Sequence, residues 1–320
     1  MERDPELLSE RIHWLKKRRN AVILAHNYQL GEVQEIADHV GDSLDLAEIA
    51  RDAEEDVVVF CGVHFMAETA HILAPEKTIL LPEKTAGCAL ANMGNADELR
   101  ERRKMNPDLV VVCYINSTAE IKALSDFCCT SANAESIIES IPEGREILFV
   151  PDRYLGGHVG LKLGRPISVA TGYCPSHARM TMKDVVRKRR EYPGAKLMVH
   201  PESRREVAEA ADIVTGTGGM LRYVRSPECE SVDTFLVGTE PGLVKRLEKE
   251  NPGKRFVVVS EDAVCPDMKR TTMESILESL EKNVHVVTLP DELREEAFES
   301  VDRMFRTCKR RENRRKDHNV

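Results

Sequence analysis

Short apolar runs alternate with amphipathic stretches along nearly the whole chain. Residues 21–25, 57–60, 78–81, 109–112, 146–150, 166–170, 196–199, 211–214, 234–237 and 255–259 are rich in Val, Ile, Leu and Phe, with shorter runs at 126–129 and 285–288. Runs of this length, bounded by turn residues and without polar alternation, predict strands buried on both faces. Between them, apolar residues at helical spacing predict helices over 6–19, 33–40, 66–73, 96–105, 119–124, 134–140, 154–163, 183–192, 206–210, 220–225 and 273–280. A further helix follows Asp42-Ser43, either of which can cap it, and another opens at Pro241. The closing helix, 291–305, is expected to pack back on the first unit. Strand and helix in alternation indicate an α/β chain with parallel sheets. The pattern restarts twice, and no recurring residue pattern is visible beyond strand, turn and cysteine.

In open parallel sheets, ligands bind beyond the carboxyl ends of the strands. Polar residues collect there: His26, Tyr28, Tyr114, Asn116, Ser131, His177, His200, Glu202 and Thr217 lie at or just past the predicted strand ends. One such residue alone is ordinarily structural. Nine on one rim, with thiols beside them, point to one central active site. The turn Thr215-Gly216-Thr217-Gly218-Gly219 reads as an anion seat of bare backbone N–H groups for a small phosphate or carboxylate, or as a flexible glycine turn. It matches no dinucleotide or nucleoside triphosphate fingerprint.

Three cysteines stand out among nine. Cys88, Cys174 and Cys265 each follow a strand and a turn, 86 and 91 residues apart, and Pro follows two of them. Three thiolates without a fourth suit an iron–sulfur cluster with one open iron, or a zinc with a free position; three unrelated buried thiols are the alternative. Closing a loop of roughly 86 residues costs on the order of 4 kcal/mol, so folded units must bring such ligands together before the metal arrives. Cys61 and Cys113 end apolar strands and read as core. Cys128-Cys129 lies on the rim, and Cys229 and Cys308 sit among polar neighbours and read as incidental.

Composition narrows the class. A net charge of −8 argues against a nucleic-acid groove, and the basic stretch 309–316 reads as a solvated helix end. There is no secretory h-region in residues 1–20 and no apolar run of about 18–20 residues, so a cytoplasmic protein with no membrane partner is expected. Thiols stay reduced there, and no Cys-x-x-Cys pair is present.

These residues resemble the quinolinate synthase family (iron–sulfur quinolinate synthase A) over nearly the whole chain. The resemblance rests on His26-Asn27-Tyr28-Gln29, Gly41-Asp42-Ser43, Lys84-Thr85-Ala86-Gly87-Cys88, Tyr114-Ile115-Asn116 and Cys129-Thr130-Ser131-Ala132-Asn133. It continues through Pro151-Asp152-Arg153-Tyr154-Leu155, Gly172-Tyr173-Cys174-Pro175-Ser176-His177, His200-Pro201-Glu202, Thr215-Gly216-Thr217-Gly218 and Cys265-Pro266-Asp267-Met268-Lys269. It implies three similar αβα units with small parallel sheets around a pseudo-threefold axis and an active site at the centre. The corresponding spans are 1–88 completed by 272–320, 89–174, and 175–271.

The resemblance further implies one 4Fe-4S cluster per chain, held by Cys88, Cys174 and Cys265, with an open iron as Lewis acid. Iminosuccinate (iminoaspartate) and dihydroxyacetone phosphate would condense to quinolinate, phosphate and water in NAD biosynthesis. An aspartate oxidase or dehydrogenase that makes the imine is the expected transient partner. Substrate contacts carry over to His26, Ser43, Tyr114, Asn116, Ser131, His177, His200, Glu202 and Thr217. On this reading Glu202 and His200 exchange protons, and Tyr28 and His26 assist enolisation. The competing readings are an iron–sulfur hydro-lyase acting on a small hydroxy acid, and a non-catalytic metal or electron-transfer protein.

Overall fold

The computed structural model describes residues 5–317, with side chains to residue 309. Twelve strands form three four-stranded sheets. The first holds β1 (Ala21–His26), β2 (His39–Gly41), β3 (Val57–Cys61) and β4 (Thr78–Leu80). The second holds β5 (Val110–Tyr114), β6 (Phe127–Cys129), β7 (Ile147–Val150) and β8 (Ser168–Val169); the third holds β9 (Lys196–Val199), β10 (Ile213–Val214), β11 (Thr234–Gly238) and β12 (Arg255–Val258). The orders are β2-β1-β3-β4, β6-β5-β7-β8 and β10-β9-β11-β12, one permutation used three times. All the ladders are parallel, and β1, β3, β5, β7 and β11 are buried or nearly so along their lengths. Unalternated apolar runs fit strands covered on both faces.

A residue pattern does recur, and the hydrogen bonds reveal it. Asp38, Asp126 and Asp212 each sit just ahead of the second strand of a sheet. Their backbone N–H groups donate to the carbonyls of Ile23, Val111 and Leu197, each at 2.9 Å. Their carboxylates accept the N–H groups of those same residues, at 2.9, 2.8 and 2.8 Å. Each aspartate also pairs with a cation near the end of the helix that leads into the sheet: Lys16 of Pro5–Arg18, Arg103 of Ala96–Met105 and Arg189 of Met182–Glu191. A second set of cations, Lys77, Arg165 and Lys254, stands just ahead of β4, β8 and β12 and covers carbonyls left open where a helix ends. Backbone partners, scattered in sequence, carry this repeat; a search for similar strings misses it.

The chain divides into two compact units, residues up to 88 with 176–289, and 89–175 with 290 onward. In the first, helices Pro5–Arg18 and Met273–Lys282 cover β1 and β3 through Ile12, Leu15, Ile23, Val57, Val59, Ile276 and Leu280. Leu197, Val199, Leu236, Val185, Val207 and Val259 make a second core around β9 and β11. In the other unit, helix Asp291–Asp317 packs on helices Ala119–Ala123 and Ala134–Ser140 and on β6. The closing helix therefore belongs with the second sheet, not the first unit: Ser300 Oγ donates to Lys122 O at 2.8 Å, and Arg303 Nη1 to Asp126 O at 3.0 Å. The side chains of 310–316, most of the basic stretch noted above, lie outside the described residues.

Three other expectations are corrected. The helix expected over 33–40 runs Gly31–Ile36, because Asp38 binds Ile23 and draws 39–41 into β2. Residues 285–288 make only an antiparallel bridge, Leu80 to Val286, since His285 adopts a left-handed φ of 63° that interrupts extension. Cys229 is completely buried at the end of the short turn Pro227–Cys229, despite its polar neighbours in sequence. Asp42 is the residue that caps helix Ser43–Asp52, through a reciprocal capping box with Asp45.

Candidate active site

The carboxyl ends of β1, β9 and β11, together with helix Pro175–Ala178, supply a dense polar group within the first unit. His26 ends β1, His200 follows β9, and both rings are buried. Each uses Nδ1 in the same way: His26 accepts the N–H of Tyr28 at 3.2 Å, and His200 the N–H of Glu202 at 3.3 Å. Burial, opposed by Glu202, pushes both imidazoles down to about 3, so at neutral pH both are uncharged. With Nδ1 occupied as an acceptor, the single proton of each ring sits on Nε2. Both histidines are therefore neutral donors.

His177 is placed differently. Its Nδ1 lies 2.9 Å from Glu202 Oε2 and its Nε2 lies 2.8 Å from Thr239 Oγ1. The ring stacks on His200, with centroids 4.6 Å apart. Thr239 Oγ1 is in turn 2.6 Å from Tyr28 Oη. A carboxylate only accepts, so His177 donates from Nδ1; with the ring neutral, Nε2 accepts from Thr239. Thr239 then has a lone pair for the Tyr28 hydroxyl. In that state one directed line of hydrogen bonds runs from Tyr28 to Thr239 to His177 to Glu202, with every member buried.

The base of this group is an ion pair whose carboxylate is fully buried. Glu240 has no exposed surface; it accepts from Lys269 Nζ at 2.9 Å, from the N–H of Gly242 at 2.6 Å and from the N–H of Cys265 at 3.3 Å. Lys269 also donates to the carbonyl of Tyr28. One ion pair thus ties the Cys265 loop to the Tyr28 turn. Gly242 must be glycine here: a Cβ would come within 2.7 Å of Glu240 Oε2 and 2.9 Å of the Tyr28 carbonyl carbon.

In the second unit, Tyr114 ends β5 and is buried; its carbonyl accepts from Ser117 Oγ at 2.8 Å. Asn116 lies two residues past Tyr114, and Ser131 two past β6. Cys128 and Cys129 are completely buried, and the Cys128 thiol meets Ser300 Oγ at 3.3 Å, so they belong to this unit's interior and do not line a rim. The aspartate pattern aligns the two units residue by residue. Three positions past Ile23, Val111 and Leu197 stand His26, Tyr114 and His200; five past stand Tyr28, Asn116 and Glu202. Five positions past Asp38, Asp126 and Asp212 stand Ser43, Ser131 and Thr217. Nine of the ten rim and contact residues taken from the sequence thus fall into three equivalent triples, with His177 outside them.

Residues 10–306 match the quinolinate synthetase A protein family. The chain belongs to this family. It is 54% identical over 301 residues to a quinolinate synthase of Dehalococcoides mccartyi strain CBDB1, covering 94% of this chain and 98% of that one. A quinolinate synthase of Thermodesulfovibrio yellowstonii is 49% identical over 297 residues, covering 92% and 97%. One of Methanosarcina barkeri is 48% identical over 298 residues, covering 93% and 97%.

The cysteines of this family member sort by placement. Cys88, Cys174 and Cys265 are half-buried, while Cys61, Cys113, Cys128, Cys129 and Cys229 are buried. The three half-buried thiols follow the last strand of each sheet, 8, 5 and 7 residues past β4, β8 and β12. Cys308 is also half-buried but lies on the closing helix, beside Asn133. Burial pushes the Cys265 thiol up, which a bound cation would reverse. His177 and Glu202 add imidazole and carboxylate donors of the kinds that metals accept. Thiolates are the donors that an iron–sulfur group takes, and one half-buried cysteine follows each sheet.

The sequence reading missed Thr239, Glu240 and the role of Lys269. The rule that found His26 and His200 applies equally to Thr239, one residue past β11.

Proposed function

We propose that this chain is a quinolinate synthase of NAD biosynthesis, condensing iminosuccinate with dihydroxyacetone phosphate to quinolinate, phosphate and water. The single observation that carries the reading is the buried line Tyr28–Thr239–His177–Glu202, flanked by two neutral histidines. Cys88, Cys174 and Cys265 would hold a 4Fe-4S cluster, one per chain. When bound, its iron without a protein ligand supplies Lewis acidity toward substrate oxygens.

The chain's own residues do the rest. Moving the Tyr28 proton to Thr239 Oγ1, while the Thr239 proton passes to His177 Nε2, leaves a phenolate at Tyr28 and an imidazolium held by Glu202. The phenolate is a base for a carbon-bound proton beside the triose carbonyl, and the reverse passage returns a proton to a departing hydroxyl. Neutral His26 and His200 offer Nε2–H to substrate oxygens without the charge that would quench the phenolate. Ser43, Asn116, Ser131 and Thr217 seat the carboxylates and the phosphate, with Tyr114 beside them. The three sheets, each with its cysteine, are the three units of this enzyme. An aspartate oxidase or dehydrogenase supplies the short-lived imine.

The test is anaerobic turnover. Protein supplied with freshly generated imine and dihydroxyacetone phosphate should form quinolinate and phosphate in equal amounts. Thr239→Val, which keeps the volume and breaks the line, should lower kcat about a hundredfold with iron content unchanged; Thr239→Ser should retain most activity. Dehydration of small hydroxy acids with no quinolinate formed would establish the hydro-lyase instead. Full activity in Thr239→Val would remove the proton line from the mechanism.

A further inference from the structure

Asn27 is completely buried between two polar partners, and their order fixes the polarity of a third group. Arg246 Nη1 donates to Asn27 Oδ1 at 2.8 Å, and Asn27 Nδ2 donates to Thr217 Oγ1 at 2.9 Å. A guanidinium has no acceptor, so the amide atom facing Arg246 must be the oxygen and the one facing Thr217 must be the nitrogen. Thr217 Oγ1 therefore receives a hydrogen bond and keeps its own proton to give. Thr217 is buried and opens helix Thr217–Val224, where Gly216 provides no side-chain cap and the first N–H groups lack helical partners. The lock is braced at both ends. Glu250 holds Arg246 Nε at 2.6 Å, and the Asn27 backbone is bonded to Gly41 O at 3.0 Å and to Gln34 Nε2 at 3.1 Å. The equivalent positions in the other two repeats are Ile115 and Pro201, which have no such amide.

We infer that Asn27 and Arg246 are positioning residues that present the Thr217 hydroxyl as a donor to an anionic oxygen of the substrate. The inference rests on the proposed function for the identity of that substrate, but its physical content is the direction of one O–H bond. Arg246 acts through the amide: it contributes order to the site, and its charge is already engaged by Glu250. The ligand class is a carboxylate or phosphate, an acceptor without a proton to offer, which Thr217 would otherwise meet with a lone pair as readily as with its proton.

Asn27→Asp is isosteric and reverses that direction. Its carboxylate keeps the bond from Arg246 and takes the Thr217 proton, so a ligand meets only lone pairs. Binding to the anaerobic holoenzyme is measured by calorimetry with quinolinate as the carboxylate probe and inorganic phosphate as the phosphate probe. Asn27→Asp should weaken one of them about tenfold or more, with a matching rise in KM and a smaller change in kcat. Thr217→Val should weaken the same probe, and the double variant should be no weaker than Thr217→Val alone, because both remove one donor. Arg246→Gln removes the lock without adding a charge; it should raise KM, and Arg246→Lys should restore it. Wild-type affinity for both probes in Asn27→Asp, additive losses in the double variant, or unchanged KM in Arg246→Gln would each overturn the inference. The binding comparison decides it whether or not quinolinate is formed.

Discussion

Two imidazoles in this molecule are held far from their ordinary range, and the cost falls on acid stability. His26 and His200 are buried, accept a backbone N–H at Nδ1, and are pushed down to about 3. Above pH 6.5 neither the folded nor the unfolded chain carries these protons, and the shift contributes nothing. Below it, the unfolded chain takes a proton that the folded ring refuses, so stability falls from about 6.5 toward 3. At pH 5 this amounts to roughly 2 kcal/mol per ring. The cluster-free His200→Gln protein should therefore lose about 2 kcal/mol less than the parent between pH 7 and pH 5, measured by urea unfolding. Equal losses in the two proteins would show that His200 is protonated in the folded state and cannot be the neutral donor described above.

At the scale of elements, the aspartate ahead of each second strand decides where that strand begins and in what register. Asp126 satisfies the Val111 N–H at the start of β5 and binds Arg103 through both terminal guanidinium nitrogens, Nη1 and Nη2. Without it, a strand-end donor and a cation both lose their partner. Asp126→Ala should cost about 2–3 kcal/mol in urea unfolding, and Asp126→Asn, which still accepts from Val111, roughly half as much. A loss under about 0.5 kcal/mol in the alanine variant would reduce the contact to an ordinary surface pair. Because the strand start sets the strand end, the same contact positions Tyr114 three residues on and Ser131 five residues past the aspartate.

For the molecule as a whole, the sheets carry their own cores, and the expected cluster is an addition to a folded chain. Chelation under anaerobic conditions should remove iron while leaving the far-UV circular dichroism and a cooperative unfolding transition, unlike a domain that folds around its metal. Single changes of Cys88, Cys174 or Cys265 to Ser should abolish the bound iron and sulfide, about four of each in the parent. Cys229→Ser should keep both and lose only stability, since it buries a hydroxyl in place of a thiol. Iron retained in Cys174→Ser would refute the ligand set. Among the described residues no helix is long and apolar enough to cross a membrane, in keeping with the apolar runs being short strands.

The apolar runs alone determined the sheets and their parallel sense, because an unalternated Val/Ile/Leu segment is stable only when both faces are covered. Strand-end position alone marked His26, Tyr28, His200, Glu202 and the three cysteines, since the polar end of a buried strand has few places to go. Tertiary structure decided which of these act on one another. Thr239 joins Tyr28 to His177, Arg246 orients Asn27 toward Thr217, and Glu240 with Lys269 ties Cys265 to Tyr28, across separations of 25 to 241 residues. Local sequence constrains what a residue can offer. Which group faces it across such a separation is set by the packing of the sheets, and that pairing fixes tautomer, charge and the direction of each proton.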